Sequence, residues 1–268
     1  MSERAEVFRV AHGKSGEAEL RMHLYLPAGE VRTPRPAVVF FFGGGWTGGT
    51  AEHFAPQARH LASLGMVTAC ADYRVASRHG TTPFDAVRDA KEAIRWMRAN
   101  ATRLGVDPDK IVAAGGSAGG HLAACTAMIA GFEDAVPVEG GERQAISSAP
   151  NALVLFNPVL DTTGKGFGRD KVTPARETEI SPCHHVHAGL PPTLVMHGEA
   201  DTVAPFENAE RFARDMRAAG NRVHLVAYPK KQHGFFNRRE NADGVVDDAD
   251  FLATLRETEM FLRDLGYL

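Results

Sequence analysis

The chain has 268 residues, 44% hydrophobic and 24% charged, with a formal net charge of −3 at pH 7. That is enough apolar content for one substantial core and gives no sign of disorder, while the weakly acidic balance and the lack of a Lys/Arg cluster interleaved with aromatics argue against nucleic acid as a partner. Three widely spaced cysteines, Cys70, Cys125 and Cys183, indicate neither a disulfide framework nor a C-x-x-C site.

The N-terminal stretch MSERAEVFRVAHG has charges on both sides of a very short apolar run, which fits neither a signal peptide nor a transmembrane helix. The expectation is a cytoplasmic protein without a membrane partner, or a secreted or periplasmic one whose leader has been removed. EVFRV and LRMHLYLP read as the first two strands. Only AHGKSGEAE separates them, too little for a helical crossover, so they are expected as an antiparallel hairpin at a sheet edge.

PAVVFFF, VTACADYR, KIVAAGG, ALVLFNP, PTLVMHG and VHLVAYP follow as further strands, with helices between most of them. The clearest helix is TPFDAVRDAKEAIRWMRANATRLG: Thr82 caps, Pro83 suits the first turn, Asp85 favours the helix dipole and Gly105 stops it. Phe84, Val87, Ile94 and Met97 share its apolar face, which must pack on a sheet. From residue 37 onward the alternation implies parallel strands, giving an α/β fold of about eight mostly parallel strands with helices on both faces. No repeat or linker divides the chain, so residues 1–268 read as a single domain. Residues 161–189 are polar, glycine-bearing and long for a connection, the character of a lid or substrate loop.

The glycines of VVFFFGGGWTGG admit two readings. Gly43, Gly45 and Gly48 match the G-x-G-x-x-G spacing of a dinucleotide site, with Asp72 downstream to hold a ribose. The same loop can instead turn main-chain NH groups toward the oxyanion of an acyl-transfer intermediate. Later segments decide against the first reading, which also sets bulky Trp46 within the phosphate turn.

After KIVAA, residues Gly115, Ser117 and Gly119 form G-x-S-x-G directly before an apolar helix, the context of a nucleophile elbow. A serine that merely caps the helix is the plainer alternative. A serine nucleophile needs a histidine to take its proton and a carboxylate to orient that histidine. Asp201 follows PTLVMHG and His233 follows VHLVAYP, giving the chain order Ser117, Asp201, His233 expected of an α/β-hydrolase. Glu199 and Asp161 are alternative acids. His121, in the elbow helix, and His197, at a strand end, are less suited as base. Cys183, His184, His185 and His187 in CHHVH suggest a metal, but no second ligand group has zinc-type spacing, and a polar loop is preferred.

FFGGGW, DYR, GGSAGGH, HGEAD and QHGFF together resemble the esterases of the α/β-hydrolase superfamily, near the hormone-sensitive-lipase branch and the bacterial acetyl xylan and feruloyl esterase-like (BD-FAE-like) enzymes, over residues 37–238. The resemblance implies that Gly44 and Gly45 are oxyanion-hole glycines, with Ala118 donating the remaining NH. Phe42 stands where the family usually has histidine, which removes a polar side chain able to brace this loop. Trp46 is expected to line or support the acyl or alcohol pocket, or to pack in the core.

The implied function is a serine carboxylesterase that needs no cofactor or metal. Its substrates would be short-acyl or hydroxycinnamoyl esters, including esterified carbohydrate. A peptidase or amidase with the same triad and a catalytically silent ligand-binding relative are the rivals.

Overall fold

A computed structural model describes residues 1–12, 16–29, 33–132, 146–240 and 246–268. Eight strands form the main sheet: β1 (Ser2–His12), β2 (Gly16–Leu26), β3 (Arg35–Phe41), β4 (Val67–Ala71), β5 (Val106–Gly116), β6 (Ala152–Phe156), β7 (Thr193–Gly198) and β8 (Val223–Tyr228). Their order is β1-β2-β4-β3-β5-β6-β7-β8. β1 and β2 pair antiparallel from Ser2↔Leu26 to His12↔Gly16, and β2 joins β4 antiparallel, as the short connection requires. The turn expected between them, residues 13–15, lies outside the described residues. All pairings from β4 through β8 are parallel.

Consecutive residues of the inner strands serve opposite faces, which is why they show no polar alternation. Val39 and Phe41 of β3 join the core cluster that contains Ala113, Leu153 and Val195, whereas Val38 and Phe40 join the one that contains Val112, Val154 and Met196. The first cluster packs under α2 (Pro83–Ala99), α3 (Ala118–Met128) and α4 (Phe206–Ala218); α1 (Ala55–Ser63) and α5 (Ala249–Asp264) contribute to the second.

The expected apolar face of α2 is buried at Phe84, Val87, Ile94 and Met97. The Asp85 carboxylate closes its start by accepting from Thr82 N at 2.9 Å and Thr82 Oγ1 at 2.7 Å. The helix was expected to run on to Gly105 but ends at Ala99, before a separate turn over Ala101–Leu104. Asn100 accounts for the break: its side-chain Nδ2 reaches the Trp96 carbonyl at 2.8 Å and competes with continued backbone bonding.

The chain runs outward from β3 to β4, then returns across β3 to β5. The reversal makes β3 and β5 neighbours, with Phe41 opposite Gly115. Loops leaving the carboxyl ends of two strands at such a switch point diverge and leave a crevice. The glycine loop leaves β3 there, and Ser117 leaves β5.

Candidate active site

Ser117 occupies the turn between β5 and α3 with φ 55 and ψ −122, a left-handed conformation unfavourable for a residue with a Cβ. The surrounding backbone imposes it. Ser117 N donates to Phe156 O at 3.0 Å, while Ser117 O accepts from His121 N at 3.0 Å and Val159 N at 3.2 Å. The flanking glycines answer to close approach: a Cβ at Gly119 would collide with the Phe41 and Phe42 carbonyl oxygens, and one at Gly115 with the Gly119 carbonyl.

His233, beyond β8, points its Nε2 at Ser117 Oγ, 2.8 Å away, and its Nδ1 at Asp201 Oδ2, 2.7 Å away. The three side chains are 116 and 32 residues apart in sequence. Asp201, beyond β7, has a fully buried side chain. Its Oδ1 accepts from Val203 N at 2.8 Å and Ala204 N at 2.9 Å. Burial alone would raise this carboxyl, but hydrogen bonds from His197, His233 and the Ala204 NH outweigh it and hold the group well below the usual carboxylate range.

The alternative acids are engaged elsewhere or open to solvent. Glu199 is exposed, and Asp161 accepts from Arg211 Nη2 at 2.7 Å and Thr163 N at 2.7 Å. Of the other histidines considered, His121 is fully buried and donates from Nε2 to Ile180 O at 2.6 Å, and His197 donates to Ala204 O at 2.8 Å.

Gly44 and Gly45 line a cleft of about 290 Å³ with Ser117, His233, Phe167 and Val203. Both glycines need positive φ, 128 and 60. The Gly44 carbonyl accepts from Thr47 N and Gly48 N at 3.0 and 3.2 Å, turning the loop tightly. Ala118 follows Ser117 at the first position of α3, where backbone NH groups have no helical partner.

Trp46 does not line this cleft. It is 2% exposed and lies behind it, edge-on to His121 at 5.0 Å and 5.8 Å from Phe167, which forms the wall instead. The Trp46 carbonyl accepts from Ala76 N, so this residue docks the glycine loop onto the segment after β4. Phe42 is likewise buried, stacked on Tyr73 at 4.0 Å, and its carbonyl accepts from the Tyr73 hydroxyl at 2.9 Å. The neighbouring Arg74 forms a buried pair with Asp89 at 2.6 Å, fixing the DYR segment on α2.

The histidines of CHHVH bond separately, His184 to Ser181 Oγ, His185 to Thr178 O and His187 to Ala188 O, each at 2.8 Å. Sequence reading did not find three other polar residues that line the cleft, His53, Asn157 and Asn237. None lies in a recognisable motif; only the position of His53 just past the glycine loop hinted at its place. Among the described residues, no helix is long and apolar enough to cross a membrane.

The BD-FAE family model matches residues 22–216. The probable carboxylic ester hydrolase LipM of Mycobacterium tuberculosis is 30% identical over 84% of this chain and 55% of its own length. The probable isoprenylcysteine alpha-carbonyl methylesterase ICMEL1 of Arabidopsis thaliana is 28% identical over 85% of this chain and 51% of its own. The chain thus spans about half the length of these curated relatives. Among solved structures, Thermogutta terrifontis esterase 2 phosphoramylated by tabun is 44% identical, with a TM-score of 0.86 and coverage of 98% of this chain and 96% of that one. The propionate-bound form of that esterase is 43% identical, with a TM-score of 0.83 and coverage of 98% and 95%. With its eight-stranded sheet and these likenesses across most of its length, the chain belongs to the BD-FAE family of the α/β-hydrolase superfamily.

Proposed function

We propose that this chain is a serine carboxylesterase acting on small-molecule esters. The observation that carries the reading is the relay Asp201–His233–Ser117, with contacts of 2.7 and 2.8 Å, ending in a cleft lined by Gly44 and Gly45. Asp201, accepting from His233 Nδ1–H, leaves the Nε2 lone pair toward Ser117. His233 takes the Ser117 proton as Oγ attacks the ester carbonyl, and the amides of Gly44, Gly45 and Ala118 receive the negative oxygen. His233 then protonates the departing alcohol and activates a water that releases the acyl group. The single domain over residues 1–268, with residues 161–189 as a lid or substrate loop, belongs to the same proposal.

Short acyl groups suit a cleft of about 290 Å³, and the propionate-bound relative points the same way. A second groove of about 640 Å³ runs along Thr163, Gly164, Arg169 and Asp170 and shares Phe167 with the cleft. Thr163, Arg169 and Asp170 give this mixed groove hydrogen-bonding groups that suit a hydroxylated leaving group, which keeps esterified carbohydrate, and hydroxycinnamoyl esters of it, within the proposed substrate class.

The test is turnover of nitrophenyl esters from two to twelve acyl carbons, a matched anilide, and Ser117→Ala. Preference for short esters over long ones and over the anilide is expected, with turnover abolished by the substitution. A preference for twelve carbons, a dominant anilidase activity or an active Ser117→Ala enzyme overturns the reading.

A further inference from the structure

The glycine loop is held at its start by a histidine that the proposed acyl-transfer steps do not use. Gly43 N donates to His53 Nδ1 at 3.1 Å, and His53 Nε2 lies 2.7 Å from Asn237 Oδ1. The proton positions follow from the far end of this chain of contacts. Asn237 Nδ2 donates to Gly234 O at 3.0 Å, so its Oδ1 must be the atom facing His53. His53 therefore donates from Nε2, keeps a lone pair on Nδ1, and receives the Gly43 NH with it. Gly234, which follows His233, in turn donates from its NH to Asn157 Oδ1 at 3.0 Å, at the end of β6. One continuous set of hydrogen bonds thus joins the loops after β3, β6 and β8.

Only a neutral imidazole can play this part. The His53 ring sits against Phe54 and Phe236, at 4.8 and 5.8 Å between centroids. Burial lowers its affinity for a proton below the usual histidine range, against the opposing pull of the Asn237 hydrogen bond. His233 is the other titratable side chain lining the cleft, and no carboxylate lines it among the described residues. Protonation would place an N–H on Nδ1 facing the Gly43 N–H and break the contact.

We infer that His53 is a positioning residue for the oxyanion loop: by accepting the Gly43 NH in a tautomer fixed by Asn237, it ties up that amide and sets Gly44 and Gly45 in place for the developing charge. The inference rests on the acyl-transfer reading above and adds a residue to it. It also locates the brace that Phe42 lacks.

The experiment uses the whole chain, nitrophenyl butyrate and a fluorophosphonate that labels an active serine. His53→Leu removes the acceptor, His53→Asn keeps an oxygen near the Nδ1 position without a titrating group, and Asn237→Asp puts a carboxylate beside Nε2 that favours the imidazolium. Losing part of the hole acts on the transition state, so His53→Leu should lower kcat and the labelling rate about 10- to 100-fold with KM within about threefold. His53→Asn should recover most of that loss. Asn237→Asp should shift the acid limb of kcat upward by about one pH unit. Wild-type kcat in His53→Leu, an equal loss in His53→Asn that follows thermal stability, or an unmoved pH profile in Asn237→Asp overturns the inference while the wild type still turns over and labels. A wild type that neither turns over nor labels instead defeats the acyl-transfer reading.

Discussion

Replacing Asp201 with asparagine keeps the side-chain shape and inverts half of its hydrogen-bonding capacity. The new amide has two ways to sit. With its oxygen on the Val203 and Ala204 amides, its NH2 faces His233 Nδ1 and needs a lone pair there. The histidine proton then moves to Nε2, where Ser117 requires an acceptor. With the amide turned over, His233 keeps its working tautomer but two loop NH groups lose their partner, at about 1–3 kcal/mol each. The unproductive arrangement is therefore favoured by about 2–6 kcal/mol, which leaves the productive one roughly 30- to 10⁴-fold depleted. The corresponding change in a serine protease triad costs about 10⁴ in kcat. We expect Asp201→Asn to lower kcat for nitrophenyl butyrate by about 30- to 10⁴-fold at pH 8, while Glu199→Gln stays within about twofold. A folded Asp201→Asn enzyme that keeps a tenth or more of wild-type kcat refutes the argument.

Acid should destabilise the fold in two windows. Burial pushes His121 down to about 4, against the effect of its bond to Ile180 O. Below the unfolded value of about 6.5 only the unfolded chain takes up this proton, so stability falls between about pH 6.5 and 4, by up to about 3 kcal/mol. Asp201, held low in the folded state, adds a further loss as pH falls below about 4. Urea midpoints at pH 7 and 4.5 measure the first window, and a His121→Gln chain with the same slope as wild type would disprove its origin. Gly119→Ala should lower stability by about 1–3 kcal/mol or more and slow fluorophosphonate labelling, because the added methyl meets two carbonyl oxygens that end β3. Unaltered melting and labelling would show that the elbow can yield.

The sheet was legible because strands buried on both faces are written as unbroken apolar runs, such as PAVVFFF, and because each is followed by loop chemistry. The elbow was legible for a steric reason: three backbone segments meet at Gly115 and Gly119, and only glycine fits. Asp201 and His233 could be named because each directly follows a strand that ends at the same edge of the sheet. His53 and Asn237 could not. Their contact spans 184 residues, joins a short helical turn to a loop, and leaves no periodicity or spacing in the chain. The sequence left Trp46 open between lining the pocket, supporting it and packing in the core for a related reason. A tryptophan beside a glycine loop has the same spelling whether it faces substrate or supports the loop from behind, and its burial against His121 is set by the helix after Ser117. Asn100 shows the limit at short range, where a single side-chain amide ended a helix that its neighbours favour.

The groups proposed for chemistry hang from β3, β5, β7 and β8, whereas Phe167 and the outer groove belong to the excursion that departs from β6. That excursion is secured to the rest of the body by its own fastenings, Asp161 to Arg211 and Phe167 above Trp46. On the proposed function, selectivity and reactivity would be inherited through separate stretches of polypeptide. A lineage can rewrite residues 161–189 to accept a different alcohol without disturbing a single contact of the charge relay, so diversification within this scaffold should concentrate after the sixth strand.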